Sequence, residues 1–174
     1  MNTRPGHRIL PLLVLCLMLL PALPAVAADH AVDQWIAAFS HRIHGHEERA
    51  LRRTVVGDID GDGRPDVAVL FAVDGVRVPD DQLQFIAVFH RGRRNRLTYV
   101  AHHLVGGRGI REVNRVVVLE RRVVLETLAY RPGDGLCCPS RPQRLRYRLR
   151  HHELVLMVAA ARPRHQATRR DATR

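Results

Sequence analysis

Four carboxylates fall at positions 1, 3, 5 and 9 of one short stretch, Asp58-Ile59-Asp60-Gly61-Asp62-Gly63-Arg64-Pro65-Asp66. Like charges this close repel one another unless water or a hard cation neutralises them, and oxygen ligands at alternating positions suit Ca²⁺. The spacing lets Asp58, Asp60 and Asp62 offer side-chain oxygens, Arg64 its main-chain carbonyl and Asp66 its carboxylate, with water completing the shell. Gly61 and Gly63 allow the backbone to fold tightly between these ligands. An EF-hand needs a glutamate at position 12, where this chain has Val69, and helices on both sides. Neither is present, so the loop is expected between two strands. The alternative is an Asp/Gly-rich hairpin turn that holds no metal. Four carboxylates on one tight loop favour calcium over it.

A second concentration of chemistry is Pro132-Gly133-Asp134-Gly135-Leu136-Cys137-Cys138-Pro139-Ser140. The only other cysteine, Cys16, lies in the apolar N-terminal segment. In an oxidising compartment Cys137 and Cys138 therefore have each other as sole intramolecular partner. Adjacent Cα atoms sit about 3.8 Å apart, short of the roughly 4.4 Å of a relaxed disulfide, so the bond is expected to be strained and comparatively reducible. A rivet shaping the loop is the favoured reading, and a redox-responsive pair is the alternative. Zinc is disfavoured because His41, His44, His46, His102 and His103 lack ligand spacing to the cysteines. Neither Gly-x-Ser-x-Gly, nor His-Glu-x-x-His, nor a phosphate-cradling glycine loop occurs, and nothing pairs Glu112, Glu120 or Glu126 as acid and base. A non-enzymatic protein is expected.

These loops need elements to hold them. Val32, Trp35, Ile36, Phe39 and Ile43 recur at helical spacing, which predicts an amphipathic helix from Asp29, its N-cap, to His44, with Gly45 as the stop. Short β-rich runs follow: 53–56, 67–73, 83–90, 97–104, 116–119, 123–130, 144–150 and 154–161. In the seventh, Leu145, Tyr147 and Leu149 alternate with arginines, so one face is buried and the other is charged. The expectation is an α+β, mainly β domain: one N-terminal helix on a compact antiparallel, hairpin-connected sheet. A single burying face would hold Trp35, Phe39, Val69, Phe71, Phe85, Val88, Val117, Leu125, Tyr147 and Leu149, with both special loops at one end.

The acidic loop resembles the Asp-x-Asp-Gly-Asp-Gly-x-x-Asp loops of FG-GAP and VCBS repeats, the integrin-type propeller blades. It has no second copy here, which excludes a whole propeller. The acidic loop and the later Gly-Asp-x-x-Cys-Cys-Pro-Ser segment, in that order over roughly residues 50–157, resemble small exported bacterial proteins related to the LppP/LprE lipoproteins. That resemblance implies export and supports the fold, and implies no chemistry.

Residues 1–27 read as a cleavable signal peptide, with Arg4 and Arg8 before the apolar run Ile9–Leu20 and Ala25-Val26-Ala27 before the cut. Cys16 lies mid-run without a small residue before it, which disfavours lipidation. The mature domain is expected over 28–161, in the periplasm or medium, with a disordered basic tail over 162–174. Lysine is absent, so all 28 basic residues are arginines and the net charge is +11. They are spread along the chain without a nucleic-acid motif, which favours a solvated surface. Weak contact with a polyanion or envelope surface is the alternative. A monomer is expected.

Overall fold

The computed structural model describes residues 25–76 and 81–157. The expected basic tail and nearly all of the expected signal segment lie outside them. Helix α1 spans Ala25–Arg42. It starts before Asp29, which is therefore inside the helix rather than its cap. Ala25, Ala27 and Ala28 are strong helix formers and carry the helical turns upstream. At the other end His44 adopts φ 60°. The His44 N–H reaches the His41 carbonyl at 3.0 Å and the Gly45 N–H the Ser40 carbonyl at 2.9 Å, a Schellman closure.

Nine strands follow among the described residues: β1 His46–Glu47, β2 Arg53–Gly57, β3 Asp66–Asp74, β4 Gln82–Arg91, β5 Leu97–Gly107, β6 Arg111–Leu119, β7 Arg122–Ala129, β8 Arg141–Arg150 and β9 Glu153–Leu156. All pairs are antiparallel, and from β3 to β9 each strand pairs with the next. β1 and β2 share one edge of β3. The α+β, mainly β architecture matches the expectation. β1 was not legible because two polar residues carry no hydrophobic period.

The single burying face is corrected by the structure: β3 and β4 are buried on both sides. Val67, Val69, Phe71 and Val73, with Phe85, Ala87 and Phe89, meet Val32, Ile36 and Phe39 of α1. Ala68, Leu70, Ile86 and Val88 face a second core with Val116, Leu125, Leu145 and Tyr147. Successive strand residues point to opposite faces, so Val88, Leu125 and Tyr147 cannot share a core with Phe71 and Phe85.

This second core exists because the open sheet folds over. β5 and β6 share only the pair Gly107–Arg111. Beyond that corner β6–β9 turn back across β2–β5. The rings of His103 on β5 and Tyr147 on β8 lie 5.3 Å apart, and a Cβ on Gly57 would lie 2.7 Å from Val118 Cγ1. At the corner the buried Gln84 amide replaces missing ladder bonds. Its Oε1 accepts from the Val113 N–H at 2.8 Å, and its Nε2 donates to the Val113 carbonyl at 3.2 Å.

Arg52 ties the helix to the sheet edge. Its Nε and Nη2 each donate to the Glu47 carboxylate at 2.6 Å, and its Nη1 donates to Asp33 of α1. The Arg52 hydrogen bond holds the Asp33 carboxyl below its ordinary value of 3.8. A depressed carboxylate pKa contributes stability that is fully present above 3.8 and lost as pH falls through the folded value. Asp33→Asn should therefore flatten the acid limb of the stability profile. Melting curves from about pH 5 downward test this: a variant that loses as much stability as wild type over that window would rule the clamp out.

Candidate metal centre

β2 ends at Gly57 and β3 begins at Asp66, its paired residue, so the acidic loop is the hairpin connection the sequence predicts. Half-buried Asp58 and exposed Asp60 and Asp62 each turn one oxygen back onto the main chain. Asp58 Oδ1 accepts from the Gly61 N–H at 2.6 Å, Asp60 Oδ1 from Asp62 at 2.9 Å and Asp62 Oδ1 from Arg64 at 2.7 Å. These bonds wind the chain into successive side-chain turns. Gly61 and Gly63 supply the φ values of 95° and 82° that the winding requires.

Asp66 plays a different part. Its side chain is buried, and its Oδ2 accepts from the main-chain N–H of Ile59 at 3.1 Å and of Asp60 at 3.4 Å. Its Oδ1 accepts from Arg91 on β4 at 3.2 Å. Ile59, also buried, pins the middle of the loop to the second core. Asp66 is thus the post to which the loop is tied.

Two groups of ligand atoms result, each lying within 4.8 Å of one another: Asp58, Asp60 and Asp62, and Asp60, Asp66 and His90. The structure brings together the first three residues singled out from the sequence and places Asp66 in a separate group beside Asp60. Arg64 lies in the loop with its N–H on Asp62.

Two residues were missed. His90 Nε2 is 3.4 Å from Asp60 Oδ2 and Arg121 Nε is 3.8 Å from Asp58 Oδ2, with the Arg121 guanidinium packed over Gly61. His90 lies next to Phe89, whose partner on β3 is Val67. Only the register of that hairpin brings it beside Asp66. Arg121 comes from the β6–β7 turn and arrives through the folding-over of the sheet. Four carboxylates thus face one guanidinium and one imidazole. The oxygen donors and the residual negative charge suit a hard divalent cation.

Cys137 and Cys138 are joined by a vicinal disulfide in the β7–β8 connection. Asp134 organises that loop. Its Oδ2 accepts from the N–H groups of Arg131 at 2.7 Å and Ser140 at 3.0 Å, and its Oδ1 from the Ser140 hydroxyl at 3.0 Å. The Arg131 bond, then those from Ser140, hold the Asp134 carboxyl below the usual carboxylate range. Tyr130 Oη donates to the Leu136 carbonyl at 2.6 Å. Asp134→Ala should open this loop, seen as lost hydrogen-exchange protection at the Arg131 and Ser140 amides. Unchanged protection would show that the disulfide alone shapes it.

Placing both loops at one end was incorrect. Arg121, which touches the acidic loop, precedes β7, and the Cys loop follows it, so they lie at opposite ends of that strand. Among the described residues no metal-ligand group includes either cysteine or any histidine but His90. No family model, curated protein or solved structure matches the chain.

Proposed function

We propose that this is an exported, non-enzymatic protein whose acidic loop holds one Ca²⁺ and thereby stiffens the β2–β3 junction. The observation that carries the reading is the convergence of Asp58, Asp60 and Asp62 within 4.8 Å, each already oriented by a bond to the main chain. Asp58, Asp60 and Asp62 would hold the ion, with the Arg64 carbonyl. Asp66 Oδ1, which accepts one main-chain bond, retains a lone pair for it. The ion would supply charge neutralisation and crosslinking. Resemblance to the LppP/LprE proteins and to FG-GAP loops supports export and a structural calcium role.

A ligand bound by the native state alone stabilises by mass action, about 2.7 kcal/mol at 100-fold excess over Kd. Calorimetry of wild type and Asp60→Ala, each with calcium or EDTA, tests the reading. Calcium should raise the wild-type transition and leave that of Asp60→Ala unmoved. Equal transitions in all four samples would eliminate the calcium site.

A further inference from the structure

A cleft of about 500 Å³ opens beside the corner where β5 and β6 part, between that corner and the Cys loop. This is a volume that suits small ligands. Three arginines line it, Arg53, Arg108 and Arg111. None of them is within ion-pair distance of a carboxylate among the described residues. Arg53 Nη1 donates to the main-chain carbonyls of Ala50 and Arg52 at 2.9 and 2.8 Å. Arg111 Nη1 donates to the neutral Gln143 Oε1 at 3.0 Å, and its Nε is buried without an acceptor. Glu112, exposed, is the only acidic residue on the lining among the described residues. The described lining therefore carries three arginines against one glutamate, a net positive charge.

Alongside the polar side chains of Gln82, Gln84, Asn114 and Tyr130, part of the wall is apolar. Leu70 and the Cys137 side of the disulfide contribute to the lining, and Leu51 and Leu136 stand exposed on it, Leu136 at 60 %. At the corner the Gln84 amide is already satisfied by Val113 on both of its atoms, so it makes no competing demand on a ligand. Guanidinium forks bind carboxylate and phosphate in two-pronged fashion, and exposed leucines beside them favour a ligand with an attached hydrocarbon part.

We infer that this cleft binds a small amphipathic anion, its carboxylate or phosphate head held by Arg108 and Arg111 with Arg53, and its apolar chain laid against Leu136, Leu51 and the disulfide. The site lies at the end of β7 opposite the acidic loop and does not depend on calcium.

Isothermal titration of the purified protein with octanoate and with octyl phosphate tests the inference, with inorganic phosphate and octanol as single-feature probes. Saturable binding of an octyl anion at one site, far weaker for either single-feature probe, is the expected result. The tighter of the two octyl anions identifies the head group. Arg108→Gln and Arg111→Gln should each weaken it at least about tenfold, the worth of one charge-assisted hydrogen bond. Arg150→Gln, on the exposed end of β8, should leave it unchanged. Leu136→Asp alters an exposed side chain and should fold normally. It too should weaken binding about tenfold or more by removing apolar contact and adding a like charge. Absence of saturation with both octyl anions, or affinity that survives both Arg108→Gln and Leu136→Asp, would overturn the proposal.

Discussion

Asp66→Ala should destabilise the protein by about 3–5 kcal/mol, although Asp66 is one of four aspartates in a loop where the other three are far more tolerant. The Asp66 carboxylate is 1 % exposed and accepts from three main-chain N–H groups, at Ile59, Asp60 and Arg91. Removing it leaves the buried Ile59 donor and the part-buried donors of Asp60 and Arg91 without that acceptor, at roughly 1–3 kcal/mol for a fully buried group and less for the other two, and empties a buried side-chain site. Asp66→Asn should cost about half as much, because one amide oxygen still accepts while the NH₂ group opposes a donor. Urea denaturation in EDTA is the appropriate measurement, since it separates this role from metal binding. Under those conditions Asp62→Ala, which removes an exposed side chain with one hydrogen bond, should change stability by less than about 1 kcal/mol. If Asp66→Ala cost as little as Asp62→Ala in EDTA, the carboxylate would not be the post of the loop.

Phe71→Ala should be as damaging, at about 3–5 kcal/mol. The ring is 1 % exposed. It stacks on Phe85 with centroids 5.6 Å apart and meets Phe39 edge-on at 5.8 Å and Trp35 at 6.2 Å. The substitution removes transfer energy, leaves a cavity between β3 and α1, and forfeits aromatic contacts worth about 0.5–1.5 kcal/mol each. Trp35 is the only tryptophan and packs between Phe39 at 5.1 Å and Tyr99 at 4.4 Å, so its emission reports the same event. A red shift of native-state fluorescence should accompany the lost stability. A loss under about 1 kcal/mol with unshifted emission would show that the helix does not depend on this contact.

Much of the secondary structure was legible because its signal is local. In β8 the alternation of Leu145 and Tyr147 with arginines announced a strand with one buried face, and β8 is such a strand. The runs 116–119 and 123–130 leave a turn expected over 120–122; it falls at Glu120 and Arg121, with Arg122 already in β7, even though both turn residues adopt positive φ, 49° and 59°, without glycine. The flanking valines gave it away. Strand β3 shows where that logic stops. Its continuous apolar run is compatible with burial on both faces, which the expectation of a single burying face missed, and it says nothing about what lies against each. The docking of α1 assigns the odd-numbered residues to one core, and the fold-over of β6–β9 assigns the even-numbered residues to the other. The cleft lay beyond sequence reading for the same reason. It forms where β5 and β6 separate, and Arg53 reaches it from a strand more than 50 residues away from Arg111 in the chain.

What the sequence by itself determined was whatever closes within a few residues. The spacing of Asp58, Asp60 and Asp62 with glycines between them dictates the side-chain-to-backbone turns, and adjacency dictates the Cys137–Cys138 pairing. Tertiary structure alone decided that Asp66 is buried, that His90 and Arg121 reach the acidic loop, that the sheet has two cores, and that the two special loops occupy opposite ends of β7. Short-range hydrogen bonds depend on local dihedrals, which residue type and spacing constrain directly. Burial, register and the meeting of distant side chains depend on how whole faces pack, and in this protein one sparsely paired corner between β5 and β6 directs that packing.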